Sequence, residues 1–118
     1  MSRVLIIDDE PSLLSLLEQK FQRAGFEVAT ASDSEKGFLA ATESGPELII
    51  LDLKLSEAAD MSLAERLRTD SRTADIPVIL LSARAGQEGD EEELEGLMTQ
   101  LRKPFRPSQL LALAREHI

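Results

Sequence analysis

The chain has no cysteine, no tryptophan and no tyrosine, and its one histidine stands next to the last residue. Without cysteine there is neither a thiolate metal site nor a redox pair. That composition suits a reducing compartment, and a cytoplasmic location is expected. A lone His117 excludes a histidine metal cluster and argues against a Ser-His-Asp machine; it reads as a solvated helix-end residue. Apolar runs such as Leu48 to Leu51 are far too short to cross a bilayer, and Ser2-Arg3 is no secretory signal region, so no membrane contact is expected. Basic residues are scarce as well: 13 Lys and Arg stand against 22 Asp and Glu, a formal net charge of −9. A surface of that sign repels phosphate backbones and argues against direct nucleic-acid binding by this chain. It suits cations and basic partner faces.

What remains is a chain of 118 residues, expected to form one domain able to bury its own core without staples. Two periodicities alternate along it. Val4 to Ile7 is a continuous apolar run of the kind buried on both faces in a parallel sheet. After Pro11, a good first helical residue, Leu13, Leu16, Leu17 and Phe21 recur at helical spacing until Gly25. "FEVATA" reads as a second strand. Ser34 is placed to cap a helix that ends at "SGP", residues 44–46. "ELIILDL" is a third strand, followed by a helix around Ser62 to Thr69 with Leu63 and Leu67 on one side. "IPVILLSA", residues 76–83, is a fourth strand. "RAGQEGDEEELEG" reads as a loop and then a short acidic helix with Leu94 and Leu97 inward. "MTQLRK" is a weak fifth strand, and Pro107-Ser108 opens a last helix carrying Leu110, Leu113 and Ala114. Five strands alternating with five helices predict an α/β fold with a doubly wound parallel sheet.

In such a sheet, function gathers beyond the carboxyl ends of the strands, at the switch point. Asp8 and Asp9 end the first strand, Asp52 the third and Ser82 the fourth, while Lys103 follows the fifth. Clustered carboxylates resist ionising unless a cation sits among them. A hard ion such as Mg²⁺ suits the set, held by one or two carboxylates, a backbone carbonyl and water. Asp52 then becomes a screened carboxylate nucleophile able to form an acyl phosphate. Lys103 would neutralise phosphoryl oxygens, and the Ser82 hydroxyl could donate to one of them. Blander readings exist. Asp8 and Asp9 could cap the first helix, Ser82 could be an ordinary strand-end hydroxyl, and Lys103 a surface lysine. Asp52 is harder to dismiss, because a charge inside the apolar run "LIILDL" needs a reason.

With "IIDDEP", "ILDLKL", "VILLSAR" and "RKPF" in this order on these element ends, the whole chain resembles a receiver domain of the bacterial two-component response regulators. The resemblance implies a flavodoxin-like sheet of strand order 2-1-3-4-5. It implies phosphorylation of Asp52 by a sensor histidine kinase or phosphotransfer protein, and Mg²⁺ bound by Asp9, Asp52 and the backbone carbonyl of Lys54, with Asp8 assisting through water. It implies that Ser82 and Lys103 engage the phosphoryl group and that the Lys103–Pro104 bond is cis. The chain would be a signalling switch, one step of a phosphorelay, and not a conventional enzyme, although it would assist its own phosphorylation and hydrolysis. It would act on an output domain or a downstream protein. No effector domain is present, so the chain is either a stand-alone receiver or a piece of a longer protein.

The sequence departs from the family's pattern in several places. The aromatic residue usual three positions before the lysine is replaced by Gln100, which is expected to stay hydrated and to alter the family's rotamer switch. The loop after Asp52 has Ser56 and Asp60 where proline and glycine are usual, and is expected to differ in shape. No Lys or Arg occurs from Ala85 to Leu101, which argues against dimerisation through crossed basic and acidic pairs. The acidic run of Glu88, Asp90, Glu91, Glu92, Glu93 and Glu95 is expected to be a solvated face. It also suits docking to a basic surface on a partner. Lys54 and Arg84 flank the expected site and predict slowed dephosphorylation. A phosphorylation-independent pseudo-receiver, acting as an interaction module, is the alternative. An Asp52-based phosphohydrolase would need a substrate pocket and a second acid-base group, and the sequence offers neither.

Overall fold

The computed structural model describes residues 2–52, 57–82, 91–94 and 98–118, with the backbone alone for 57–61, 82 and 92–94. The elements run β1 (Arg3–Asp8), α1 (Pro11–Arg23), β2 (Glu27–Ala31), α2 (Ser34–Ser44), β3 (Leu48–Asp52), α3 (Glu57–Thr69), β4 (Val78–Ser82), β5 (Glu91–Leu94), β6 (Met98–Arg102) and α4 (Pro107–Glu116). They build one sheet of order β2-β1-β3-β4-β6-β5. All neighbours are parallel except β5, which runs antiparallel to β6 with Leu94 opposite Met98 and Glu91 opposite Leu101. The five parallel strands therefore take the expected 2-1-3-4-5 order, β6 standing as the fifth.

The continuous apolar runs are explained by burial on both faces. Leu5, Ile7, Ile49, Leu51, Val78 and Leu80 join a core with Leu63, Ala64 and Leu67 of α3 and Ala41 of α2. Their alternate neighbours Val4, Ile6, Leu48, Ile50, Ile79 and Leu81 join a second core with Leu17 and Phe21 of α1 and Leu110, Leu113 and Ala114 of α4. A strand with helices over each side has no solvent face to supply with polar residues. Each fully buried Leu or Ile contributes roughly 1.5–3 kcal/mol over an exposed one. The fit of α2 to the sheet is close: a Cβ on Gly37 would lie 2.8 Å from Ile7 Cδ1 and 3.0 Å from its Cγ2. At the other end of α2, Gly45 takes a left-handed φ of 59°, the conformation that closes a helix and that glycine adopts without strain.

Several expectations need correction. Four helices are present among the described residues, and Glu91–Leu94, expected in an acidic helix, is a strand. The expected helical spacing of Leu94 and Leu97 is outweighed by hairpin-like pairing with β6, and Leu97 lies outside the described residues. The acidic residues Glu88, Asp90 and Glu95 lie outside them too. Asp33, not Ser34, caps α2, its Oδ1 accepting the Lys36 N–H at 2.8 Å. Leu16 is 44% exposed, because α1 turns Leu13, Leu14, Leu17 and Phe21 toward the sheet instead. His117 is not fully solvated: it closes α4 half-buried, with Nε2 3.3 Å from the Thr99 hydroxyl of β6. Asp60 falls within α3, and Ser56 lies outside the described residues.

Candidate functional site

Strand register brings the acidic residues together. β1 and β3 pair from Val4↔Leu48 to Asp8↔Asp52, so two carboxylate residues sit side by side at the carboxyl ends of adjacent strands. Both are buried, Asp8 at 0% and Asp52 at 3% exposure. Each ends a strand directly after four buried apolar residues, Val4–Ile7 and Leu48–Leu51, and the packing of those residues fixes where the acids lie. Asp8 uses Oδ1 to accept the Glu10 N–H at 2.8 Å, an Asx-type turn that leads the chain into α1. The helix-cap reading of Asp8 and Asp9 is not what forms. Glu10 occupies the N-cap position without a side-chain cap, and the first turn of α1 holds no acid.

Lys103 follows β6 and reaches back across the sheet, its Nζ 2.7 Å from Asp52 Oδ2. The contact pairs charges, but its angles fall short of an aligned hydrogen bond. The Lys103–Pro104 bond is cis. Burial pushes the Asp52 carboxyl above its ordinary value of 3.8; the Lys103 ammonium opposes that shift, and the charge of Asp9 adds to it. The Asp52 carboxylate therefore sits nearly out of water, with one cation at its side and a second acid near it.

Ser82 is the last residue of β4 and pairs in register with Arg102. Because Leu51 is level with Leu80, Ser82 stands one residue beyond the level of Asp52. Its side chain, and all of Lys54 and Arg84, lie outside the described residues. Asp8, Asp9, Asp52, Lys103 and the backbone of Ser82 thus gather at one edge of the sheet, as the strand ends predicted.

Asp8, Asp9 and Asp52, among the described residues, offer carboxylate oxygen, the hard donor that Mg²⁺ prefers. Among the described residues no three acids converge tightly enough to enclose a metal unaided. Burial raises the Asp52 carboxyl, and a cation held against its oxygens would favour the ionised form.

The family profile of the response regulator receiver domain matches residues 4–115. The chain belongs to the response regulator receiver family. It is 41% identical over 117 residues to the DNA-binding dual master transcriptional regulator RpaA of Synechocystis sp., covering 98% of this chain and 48% of the relative. It is 33% identical over 110 residues to the phosphate regulon transcriptional regulatory protein PhoB of Pseudomonas aeruginosa, covering 92% of this chain and 48% of that protein. The receiver thus spans about half the length of the curated relatives it matches. Among solved structures, the chemotaxis response regulator CheY4 of Vibrio cholerae superposes with a TM-score of 0.82 at 26% identity, covering 100% of this chain and 99% of CheY4. Receivers of this family signal and are not conventional enzymes, and they generally bind Mg²⁺. No helix among the described residues is long and apolar enough to cross a membrane.

One residue near the site behaves differently from expectation. Gln100, expected to stay hydrated, is only 1% exposed. It lies on β6 level with Leu80 of β4, on the face that Met98 and Leu80 share with the α3 core. Strand pleating, not side-chain polarity, decides its direction.

Proposed function

We propose that residues 1–118 act as one phosphoacceptor receiver domain in the cytoplasm. A sensor histidine kinase or phosphotransfer protein donates a phosphoryl group to Asp52. An Asp52 carboxylate oxygen attacks phosphorus and the new O–P bond forms as the donor's P–N bond breaks; the donor imidazole keeps that electron pair and takes a proton from solvent. Mg²⁺, when bound, would screen the crowded carboxylates and the phosphoryl oxygens. Asp9 and Asp52 would hold it, with the Lys54 carbonyl, and Asp8 would act through water. Lys103 transfers its charge from the carboxylate to the phosphoryl group, and Ser82 donates a hydrogen bond to it. The phosphorylated form then acts on an output domain or downstream protein. RpaA is a DNA-binding regulator; in this reading any DNA contact belongs to such an output partner, since the receiver itself carries a net charge of −9.

The observation that carries the reading is the buried Asp52 carboxylate at a strand end, touched by Lys103 at 2.7 Å and level with Asp8. Intact mass after incubation with Mg²⁺ and phosphoramidate tests it. One added phosphoryl group is expected, lost with a chelator and in Asp52→Asn. An unchanged mass in folded protein would establish the pseudo-receiver instead.

A further inference from the structure

β5 is the last strand of the sheet, in the order β2-β1-β3-β4-β6-β5. Its inner edge is taken by β6, from Glu91↔Leu101 to Leu94↔Met98. Among the described residues no strand pairs its outer edge, and no backbone hydrogen bond from a turn or loop reaches Glu91–Leu94. Alternate residues of an antiparallel strand turn their N–H and C=O groups to opposite sides, so half of β5 presents donors and acceptors outward. Such an edge is a template for one more strand.

The residues of β5 decide what can add to it. Glu91, Glu92 and Glu93 are consecutive, Glu88, Asp90 and Glu95 flank them in sequence, and no Lys or Arg occurs from Ala85 to Leu101. A second copy pairing antiparallel over Glu91–Leu94 would set Glu92 of one chain level with Glu93 of the other, and like charges directly opposite destabilise a pair. The glutamates therefore bar self-pairing, a common use of charge on an edge. They do not bar a strand of opposite charge, and they attract one through solvent. Glu91 is exposed, and the described group that meets its carboxylate is the neutral amide of Gln109 on α4, Nε2 to Oε2 at 3.4 Å, so its charge is left for a partner.

We infer that the outer edge of β5 is a docking site for an extended segment of another protein, rich in lysine and arginine, which adds to the six-stranded sheet as a further strand. Main-chain hydrogen bonds to the outward N–H and C=O groups hold the segment, and its positive charge complements that of the strand. The docking needs no phosphoryl group on Asp52, so it operates in the unmodified receiver.

The probe is a short, end-capped peptide of alternating lysine and valine, titrated into the full chain while backbone amide exchange is followed by NMR. The outward amides of Glu91–Leu94 are expected to exchange roughly tenfold more slowly with the peptide bound. A peptide of the same sequence with every backbone nitrogen methylated keeps the charge and loses the donors. It is expected to bind roughly tenfold more weakly or worse, the equivalent of at least one lost hydrogen bond. Equal binding by the methylated peptide would reduce the effect to charge attraction and overturn the strand addition. No binding at millimolar peptide would overturn it too, as would slowing confined to amides outside Glu91–Leu94. A dimer of the peptide-free chain that protects the same amides would make a second copy the occupant instead. Combining Glu91→Lys, Glu92→Lys and Glu93→Lys is expected to swap the preference to a peptide of alternating glutamate and valine; an unchanged preference would reject the site. Should that variant not fold, the methylated peptide on wild type decides.

Discussion

Asp52 and Asp70 each hold a cationic side chain at nearly the same distance, Lys103 at 2.7 Å and Arg72 at 2.8 Å. Their carboxyls nevertheless shift in opposite directions. Asp70 lies in the turn after α3, its side chain 22% exposed, and Arg72 binds it three ways, through the backbone N–H at 2.9 Å, Nε at 3.0 Å and Nη2 at 2.8 Å. Hydrogen bonds from the Arg72 side chain and then its backbone pull Asp70 from 3.8 down to about 2. Asp52 has one imperfect contact and a side chain only 4% exposed, and burial wins, raising its carboxyl. Distance therefore says little about what an ion pair does; donor number and solvent access decide. Asp70 is saturated and closes a turn. Asp52 keeps a carboxyl that burial makes costly to ionise, with Lys103 offsetting only part of that cost.

The largest expected effect follows from removing the Asp52 charge. Asp52→Asn should abolish the phosphoryl adduct. In chelator it should also make the fold more stable than wild type at neutral pH. The sign follows from the raised carboxyl: folding favours the neutral acid, a contribution fully present below 3.8 and lost as pH rises through the higher folded value. The stability gap between variant and wild type should therefore open as pH rises, and denaturant midpoints across pH will show it. A wild type more stable than the variant at pH 7 in chelator would contradict the burial account.

Next in size is the other half of the pair. Lys103→Met leaves Asp52 buried without its cation and should cost about 1–3 kcal/mol in chelator. In an Asp52→Asn background the same change should cost much less, because the charge it served is gone. A double-mutant cycle from urea melts reads that coupling directly; simple additivity would mean that the 2.7 Å contact contributes nothing.

The setting of Asp52 was legible in the amino-acid order, though the contrast with Asp70 was not. The runs Val4–Ile7 and Leu48–Leu51 declare strands buried on both faces, and acids standing at their ends declare the edge where they meet. That the sheet is parallel was legible for the same reason, since strands alternating with amphipathic helices leave few topologies; the strand order came from the family resemblance. Glu91–Leu94 was not legible: four residues carry too little periodicity to separate helix from strand, and the partner β6 decides. The burial of Gln100 was missed because polarity suggests solvent, whereas a position level with Leu80 on an interior strand points the amide into the core. Neither the three-way grip of Arg72 on Asp70 nor the single contact of Lys103 on Asp52 has a sequence signature, so the opposite shifts needed coordinates.

The smallest effect belongs to Asp70→Asn, and its value lies in its sign. Asp70 is lowered, so its ionised form stabilises the fold; that contribution is present above 3.8 and fades as pH falls through about 2. The variant should be slightly less stable than wild type at neutral pH, with the gap closing between pH 4 and about pH 2. Exposed pairs contribute little and are screened by salt, so the difference should shrink further at high ionic strength. The Asp52→Asn difference, set by burial, should barely respond to salt. Measuring both variants along the same pH and salt grid separates the two pairs: one gap opens with rising pH and ignores salt, the other closes in acid and yields to it. If Asp70→Asn instead gained stability at neutral pH, the three hydrogen bonds from Arg72 would not be what holds that carboxyl low.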